Sequence, residues 1–316
     1  MSIVKEYSIK SVSGLADIYF RSWTPDGEPK AIIQIAHGMC EHSGIYGWIC
    51  NKLCDAGFVV FMNDHLGHGK SVSDDSMLGY FGDGEGWLDI IKDFRNITEI
   101  AKQEHPDLPV IIMGHSMGSF IARAYTEMYK DADGAIYLGT AGAQPVDAGI
   151  MVANLVAKLH GKMHRSKLIE AVSFGTYNMR FEKRTPFDWL AKNKDFVDLY
   201  MADKYCGFRF TAYGYRDLFR LLKYISSPSW FENLPKDLPV LMLAGDMDPV
   251  GAFGKGVMKV YDKLKETGHT NVECRLFKDD RHVILEEADK EEADKEEAAA
   301  EIINFADKIA KVKAVK

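Results

Sequence analysis

Residues 110–129 read VIIMGHSMGSFIARAYTEMY. Val110 to Met113 form an unbroken apolar run just after Pro109, the pattern of a strand buried on both faces. From Met117 onward the residues favour a helix, and between the two stands Gly114-His115-Ser116-Met117-Gly118, a GxSxG. A strand, a tight turn and a helix around that pattern are what a nucleophile elbow requires. The turn lifts the serine hydroxyl above the sheet and leaves no room for side chains at Gly114 and Gly118. Ser116 then opens a helix, and the backbone N–H of Met117 points toward a developing oxyanion.

The same alternation extends to either side. AIIQIAHG at 31–38 and FVVFMND at 58–64 read as buried strands with a helix between them. A helix follows over about 86–104, and AIYLG at 135–139 is a further strand. Strands alternating with helices mean a mostly parallel sheet covered on both faces. The first twenty residues instead alternate with a period of two around Gly14, as in an edge hairpin. LPVLMLAGDMD at 238–248 and VECRLF at 272–277 resume the sheet, and a helix closes the chain. The EEADKEEADKEEAAAE stretch at 286–301 spaces Glu and Lys three or four apart, as on a solvated helix face.

Between 145 and 230 there is no clear buried strand, only helical segments rich in Met, aromatics and bases. The expected organisation is therefore an α/β core over 1–144 and 231–316, with a helical cap inserted at 145–230. From Ala148 to Leu159 nearly every residue is apolar, which fits a core helix or a lid over an apolar pocket. Lys158 to Arg184 carries seven bases against Glu170 and Glu182. That is a solvated face or a patch drawn transiently to an anionic lipid surface.

A serine needs a base, and the base needs a carboxylate to fix its tautomer. Asp248 follows one late strand by three residues, and His282 follows the next by five. The chain order serine, acid, histidine is that of an α/β-hydrolase. Asp246 is the rival acid, and His37 and His115 are rival bases by composition only. The loop after the strand at 31–36 should supply the second oxyanion donor, with Met39 N–H beside that of Met117.

Composition narrows the partners. The chain has 316 residues and a net charge of −7, and residues 286–301 alone carry nine acids and two lysines. The remainder is neutral, which speaks against nucleic acid. The five cysteines, Cys40, Cys50, Cys54, Cys206 and Cys274, show no CxxC, so neither a disulfide framework nor a zinc ribbon is expected. Lys5, Glu6 and Lys10 interrupt any signal-peptide core, and the expected setting is cytoplasmic. No metal or organic cofactor is expected.

HGMCEHSGIY (37–46), NDHLGHGKS (63–71), GHSMGS (114–119), the AGDMDPV acid loop and DDRHVILEE around His282 together resemble the monoglyceride lipase and lysophospholipase group of α/β-hydrolases, also called the serine aminopeptidase S33 group. The resemblance runs from about residue 10 to 310. It implies a Ser116, Asp248 and His282 triad, an oxyanion hole at Met39 and Met117, and substrate contacts from Gly38, Glu41 and His115. It also implies small-molecule substrates, esters of one long acyl chain admitted beneath an apolar cap. The chain departs from the monoglyceride lipase pattern where Ile45 replaces an arginine and Leu285 replaces a histidine. With only Glu41 left of the three groups that hold the glycerol hydroxyls, the head group is left open. A short-chain carboxylesterase, an S33-type aminopeptidase and a non-catalytic binding protein are the alternatives.

Overall fold

The computed structural model describes residues 3–287 and 293–314. Eight strands form one sheet, β1 (Ile3–Lys10), β2 (Asp17–Thr24), β3 (Ile32–Ala36), β4 (Val59–Asn63), β5 (Val110–His115), β6 (Gly134–Leu138), β7 (Val240–Gly245) and β8 (Val272–Phe277). Their order is β1-β2-β4-β3-β5-β6-β7-β8. β1 and β2 pair antiparallel as the expected edge hairpin, and β3 to β8 are parallel.

The central strands are apolar throughout because successive side chains feed two different cores. Ile32, Val110, Ile112, Tyr137 and Met242 point to one face, while Ile33, Ile35, Ile111, Met113, Leu138 and Leu243 point to the other. On the first face lie α2 (Gly86–Glu104), α3 (Met117–Tyr129) and α9 (Lys255–Glu266). On the second lie α1 (Gly47–Asp55) and α10 (Ala293–Ala314). The α9 helix between β7 and β8 was not singled out in the sequence. Residues 288–292 of the Glu and Lys repeat lie outside the described residues.

Between β6 and β7 come five helices, α4 (Asp147–His160), α5 (Lys167–Phe174), α6 (Lys194–Ala202), α7 (Ala212–Ile225) and α8 (Pro228–Asn233). Of these, α7 belongs to the main core, with Tyr215, Leu218, Leu221 and Ile225 buried against it. Arg123 of α3 anchors the end of the segment, donating to the Ile225 carbonyl at 2.8 Å and lying 4.3 Å from the Trp230 ring. The α4 helix is not a core helix. Only Ala153 and Ala157 are buried, whereas Met151, Leu155 and Leu159 are 72%, 56% and 66% exposed. Among the described residues no helix is long and apolar enough to cross a membrane.

The elbow packs backbone against backbone. A Cβ at Gly114 would fall 2.1 Å from the Gly118 carbonyl oxygen, and one at Gly118 would fall 2.0 Å from that of Ala36. Gly47, at the start of α1, has open space around it. Gly118→Ala should lose at least ~2 kcal/mol of stability by overpacking. Gly47→Ala should gain about 0.5 kcal/mol by restricting the unfolded chain. Urea denaturation checks both, and equal midpoints for the two variants would contradict the packing argument.

Candidate active site

Four loops leave the carboxyl ends of β3, β5, β7 and β8, the edge of a parallel sheet at which ligand sites assemble. The β5 loop is the elbow. Ser116 sits at φ 54° and ψ −122°, a conformation an L-residue holds only when its surroundings impose it. Its N–H donates to the Leu138 carbonyl at 2.9 Å, and Ser119 N–H donates back to the Ser116 carbonyl at 2.8 Å. Met117 is the first helical residue of α3, so its N–H belongs to the donors that a helix start leaves free. Met39 lies in the β3 loop, next to Gly38. A Cβ on Gly38 would come 3.1 Å from that of Ser116.

Asp248 and His282 are brought together. Asp248 is fully buried in the turn after β7, where its Oδ1 accepts the Val250 N–H at 2.8 Å. The same oxygen is 2.9 Å from His282 Nδ1. The oxygen lies off the line of the ring N–H, so this contact has ion-pair length without hydrogen-bond alignment. Pairs of this kind tighten when substrate binds. Asp246 faces elsewhere and accepts the Asp279 N–H at 2.7 Å. The two loops are fused by backbone, with Met247 N–H donating to the Asp280 carbonyl at 2.9 Å.

The three residues expected to contact substrate, Gly38, Glu41 and His115, are engaged with one another. Glu41 Oε1 accepts the Gly38 N–H and the Tyr46 hydroxyl, each at 2.5 Å. His115 Nδ1 lies 2.9 Å from the Tyr46 oxygen and 3.5 Å from Glu41 Oε1. Its Nε2 faces the His282 carbonyl at 3.2 Å. Burial works to raise the Glu41 carboxyl, but His115, His37 and the Tyr46 hydroxyl together hold it at about 2. Burial works to lower His115, and Glu41, with the His282 carbonyl and the Asp248 charge, reverses that, so its pKa is raised.

His37 is a packed loop histidine. It accepts the His65 N–H on Nε2 at 2.9 Å and donates from Nδ1 to the Gly38 carbonyl at 2.8 Å. Burial pushes its pKa down. His42, Asp203 and Cys206 place three metal-type ligand atoms within 4.8 Å of one another. They do not fit an ion as they stand. His42 accepts the Gly44 N–H on Nδ1 and donates from Nε2 to Asp203 at 2.9 Å, which leaves neither ring nitrogen for a metal.

Two contributors carry little signal in the sequence. Tyr46 shows only as an aromatic five residues after Glu41 within its motif. Trp189 comes from the helical segment and carried no local signal. Its ring centroid lies 5.2 Å from that of His282, and its carbonyl accepts the His282 N–H at 3.4 Å. The neighbouring Leu190 carbonyl accepts the Val283 N–H at 2.8 Å. Glu287 closes this latch by accepting the Arg281 and Lys192 N–H groups at 2.6 and 2.8 Å.

Known lipases and esterases resemble the chain as a whole. The chain is 35% identical over 158 residues to a monoacylglycerol lipase of Mycolicibacterium smegmatis, a match covering 50% of this chain and 54% of that one. It is 28% identical over 190 residues to the monoglyceride lipase of Mus musculus, covering 59% and 55%. The match thus spans about half the length of these curated relatives. The structure superposes on a thermostable carboxyl esterase from Bacillus coagulans, in complex with glycerol, with a TM-score of 0.90. That match has 30% identity and covers 97% of this chain and 99% of the other. The family model described as serine aminopeptidase, S33, matches residues 27–289, and the chain belongs to that family of α/β-hydrolases.

Proposed function

We propose that the chain is a serine carboxylic-ester hydrolase acting on single-acyl-chain lipids, of monoacylglycerol lipase or lysophospholipase type. The observation that carries this reading is the Asp248–His282 contact of 2.9 Å at the sheet edge where Ser116 stands on its strained elbow. Ser116 attacks the ester carbonyl as His282 takes its proton, and Asp248 stabilises the imidazolium that forms. The Met39 and Met117 N–H groups receive the negative charge on the carbonyl oxygen. His282 then gives the proton to the departing alcohol, leaving the acyl group on Ser116. Water, deprotonated by His282, attacks that acyl-enzyme, and as the acid leaves, His282 returns the proton to Ser116 Oγ. No metal or organic cofactor takes part.

Within residues 145–230, the segments other than α7, which belongs to the main core, act as the cap over the acyl pocket. Met151, Leu155 and Leu159 of α4 and Leu168 and Val172 of α5 expose apolar side chains on packed neighbouring helices, beside Lys158 and Lys167. Exposed apolar surface of this kind mixed with bases suits an anionic lipid surface. Five cysteines that are all free thiols are in keeping with a cytoplasmic setting.

A second reading, a carboxylesterase for short chains and simple alcohols, is favoured by one observation. Ile45 and Leu285 stand where the monoglyceride lipase pattern has an arginine and a histidine, and neither side chain can hydrogen-bond a polar head group.

Hydrolysis of p-nitrophenyl esters from two to sixteen carbons, together with 1-monoacylglycerol and lysophosphatidylcholine, distinguishes the two. Activity peaking at eight carbons or more is expected, and activity confined to acetate or butyrate selects the second reading. Ser116→Ala should stay folded and fall to about a thousandth of wild type or below. Appreciable activity in that variant would overturn the serine mechanism.

The cap surface gives a separate prediction. Leu155→Asp combined with Val172→Asp should weaken sedimentation with phosphatidylglycerol vesicles at least about tenfold. Butyrate ester hydrolysis should be unchanged. Undiminished vesicle binding would remove the lipid-facing role.

A further inference from the structure

The hydrogen bonds around His115 can be assigned atom by atom. Glu41 Oε1 takes the single hydroxyl proton of Tyr46 at 2.5 Å, so the Tyr46 oxygen has only lone pairs left for His115 Nδ1 at 2.9 Å. The other ring nitrogen faces the His282 carbonyl, an acceptor with no proton to give, at 3.2 Å. Both ring nitrogens therefore meet acceptors, and a neutral imidazole can donate to only one of them.

We infer that His115 is a buried imidazolium, held through Tyr46 by an ionised Glu41, and that this charged relay positions the reacting loops. One end, Glu41, fixes the β3 loop through the Gly38 N–H, beside the amide of Met39. The other end, His115 Nε2–H, fixes the loop of the base through the His282 carbonyl. The middle is the residue directly before Ser116. His115 and Glu41 are positioning residues here and touch no reacting atom.

The opposite charges cancel, which is how an ion pair this deep is tolerated. His115 and Glu41 are 3% and 4% exposed. The other titratable groups facing His115 are the His282 ring, with centroids 4.7 Å apart, the Asp248 charge behind it, and Glu286, which lines a small cavity with His115. Burial pushes the Glu286 carboxyl up to about 7, so Glu41 is the main counter-charge. The raised pKa of His115 and the lowered one of Glu41 point the same way.

This inference rests on the ester-hydrolase reading for its catalytic consequence, but not for the protonation state. Nitrogen NMR of the full chain labelled at histidine, with His115 assigned through His115→Asn, reads that state directly. At pH ~7, above the ordinary imidazole value, both ring nitrogens of His115 should carry protons. In Glu41→Gln one of them should be bare. A bare nitrogen in the wild type overturns the proposal.

Tyr46→Phe cuts the relay and should lower kcat on a p-nitrophenyl ester about tenfold to hundredfold, with KM within about threefold. A purely structural Tyr46 would lower Tm and leave kcat of the folded enzyme unchanged, which also overturns the proposal. If the wild type cleaves no ester while His115 shows both protons, the relay stands and the ester-hydrolase reading falls. If esters are cleaved and His115 keeps a bare nitrogen, the relay alone falls.

Discussion

The carbonyl oxygen of Ala36 would lie 2.0 Å from a Cβ on Gly118, and the rest of the site depends on that approach. It brings the start of α3 against the end of β3, so the serine and the β3 loop share one small volume. Ser116 takes its left-handed backbone there because the chain must reverse from β5 into α3 within one residue. Such a conformation costs on the order of 1–3 kcal/mol and persists because packing on both sides fixes it. The buried parallel strands β3, β5 and β6 provide that support, with Ala36 paired to Gly114 and Gly114 to Tyr137.

A second close contact does the same for Asp248 and His282. A Cβ on Gly245 would fall 2.0 Å from the Asp280 carbonyl oxygen, so the loops after β7 and β8 lie on each other. Asp248 and His282 reach one another across that contact, although 34 residues separate them. On its other side His282 leans on Trp189 and hydrogen-bonds to that residue's carbonyl. The helical segment is thus joined by backbone to the loop of the base. Movement of this helical segment away from the sheet would have to break the Leu190–Val283 hydrogen bond as well as the Glu287 latch.

The elements legible in the sequence are those whose cause is local. Buried strands announce themselves by apolar runs, and the elbow by two glycines four residues apart between a strand and a helix. The chain order of Ser116, Asp248 and His282 followed from strand ends, which are also local. What could not be read were pairings set by the folded chain. Nothing near Trp189 says that it will face His282, and Tyr46 shows its place only once Glu41 and His115 are seen on either side of it. The α4 helix shows a different limit. Its apolar run fits a core helix and a lid alike because periodicity records amphipathicity and not what covers the face, and here Met151, Leu155 and Leu159 meet solvent.

The engagement of Glu41 bears on how a head group could be chosen. Glu41 commits Oε1 to the Gly38 amide and the Tyr46 hydroxyl, and at 4% exposure it keeps only Oε2 for a substrate hydroxyl. The neighbouring positions, Ile45 and Leu285, offer no hydrogen bond. An apolar wall discriminates by size, where one methylene is worth ~1–3 kcal/mol, and it cannot reject a substrate for lacking a hydroxyl. On the ester-hydrolase reading proposed above, selection of the alcohol falls mainly to shape, while Glu41 Oε1, Tyr46 and His115 hold the loops in place.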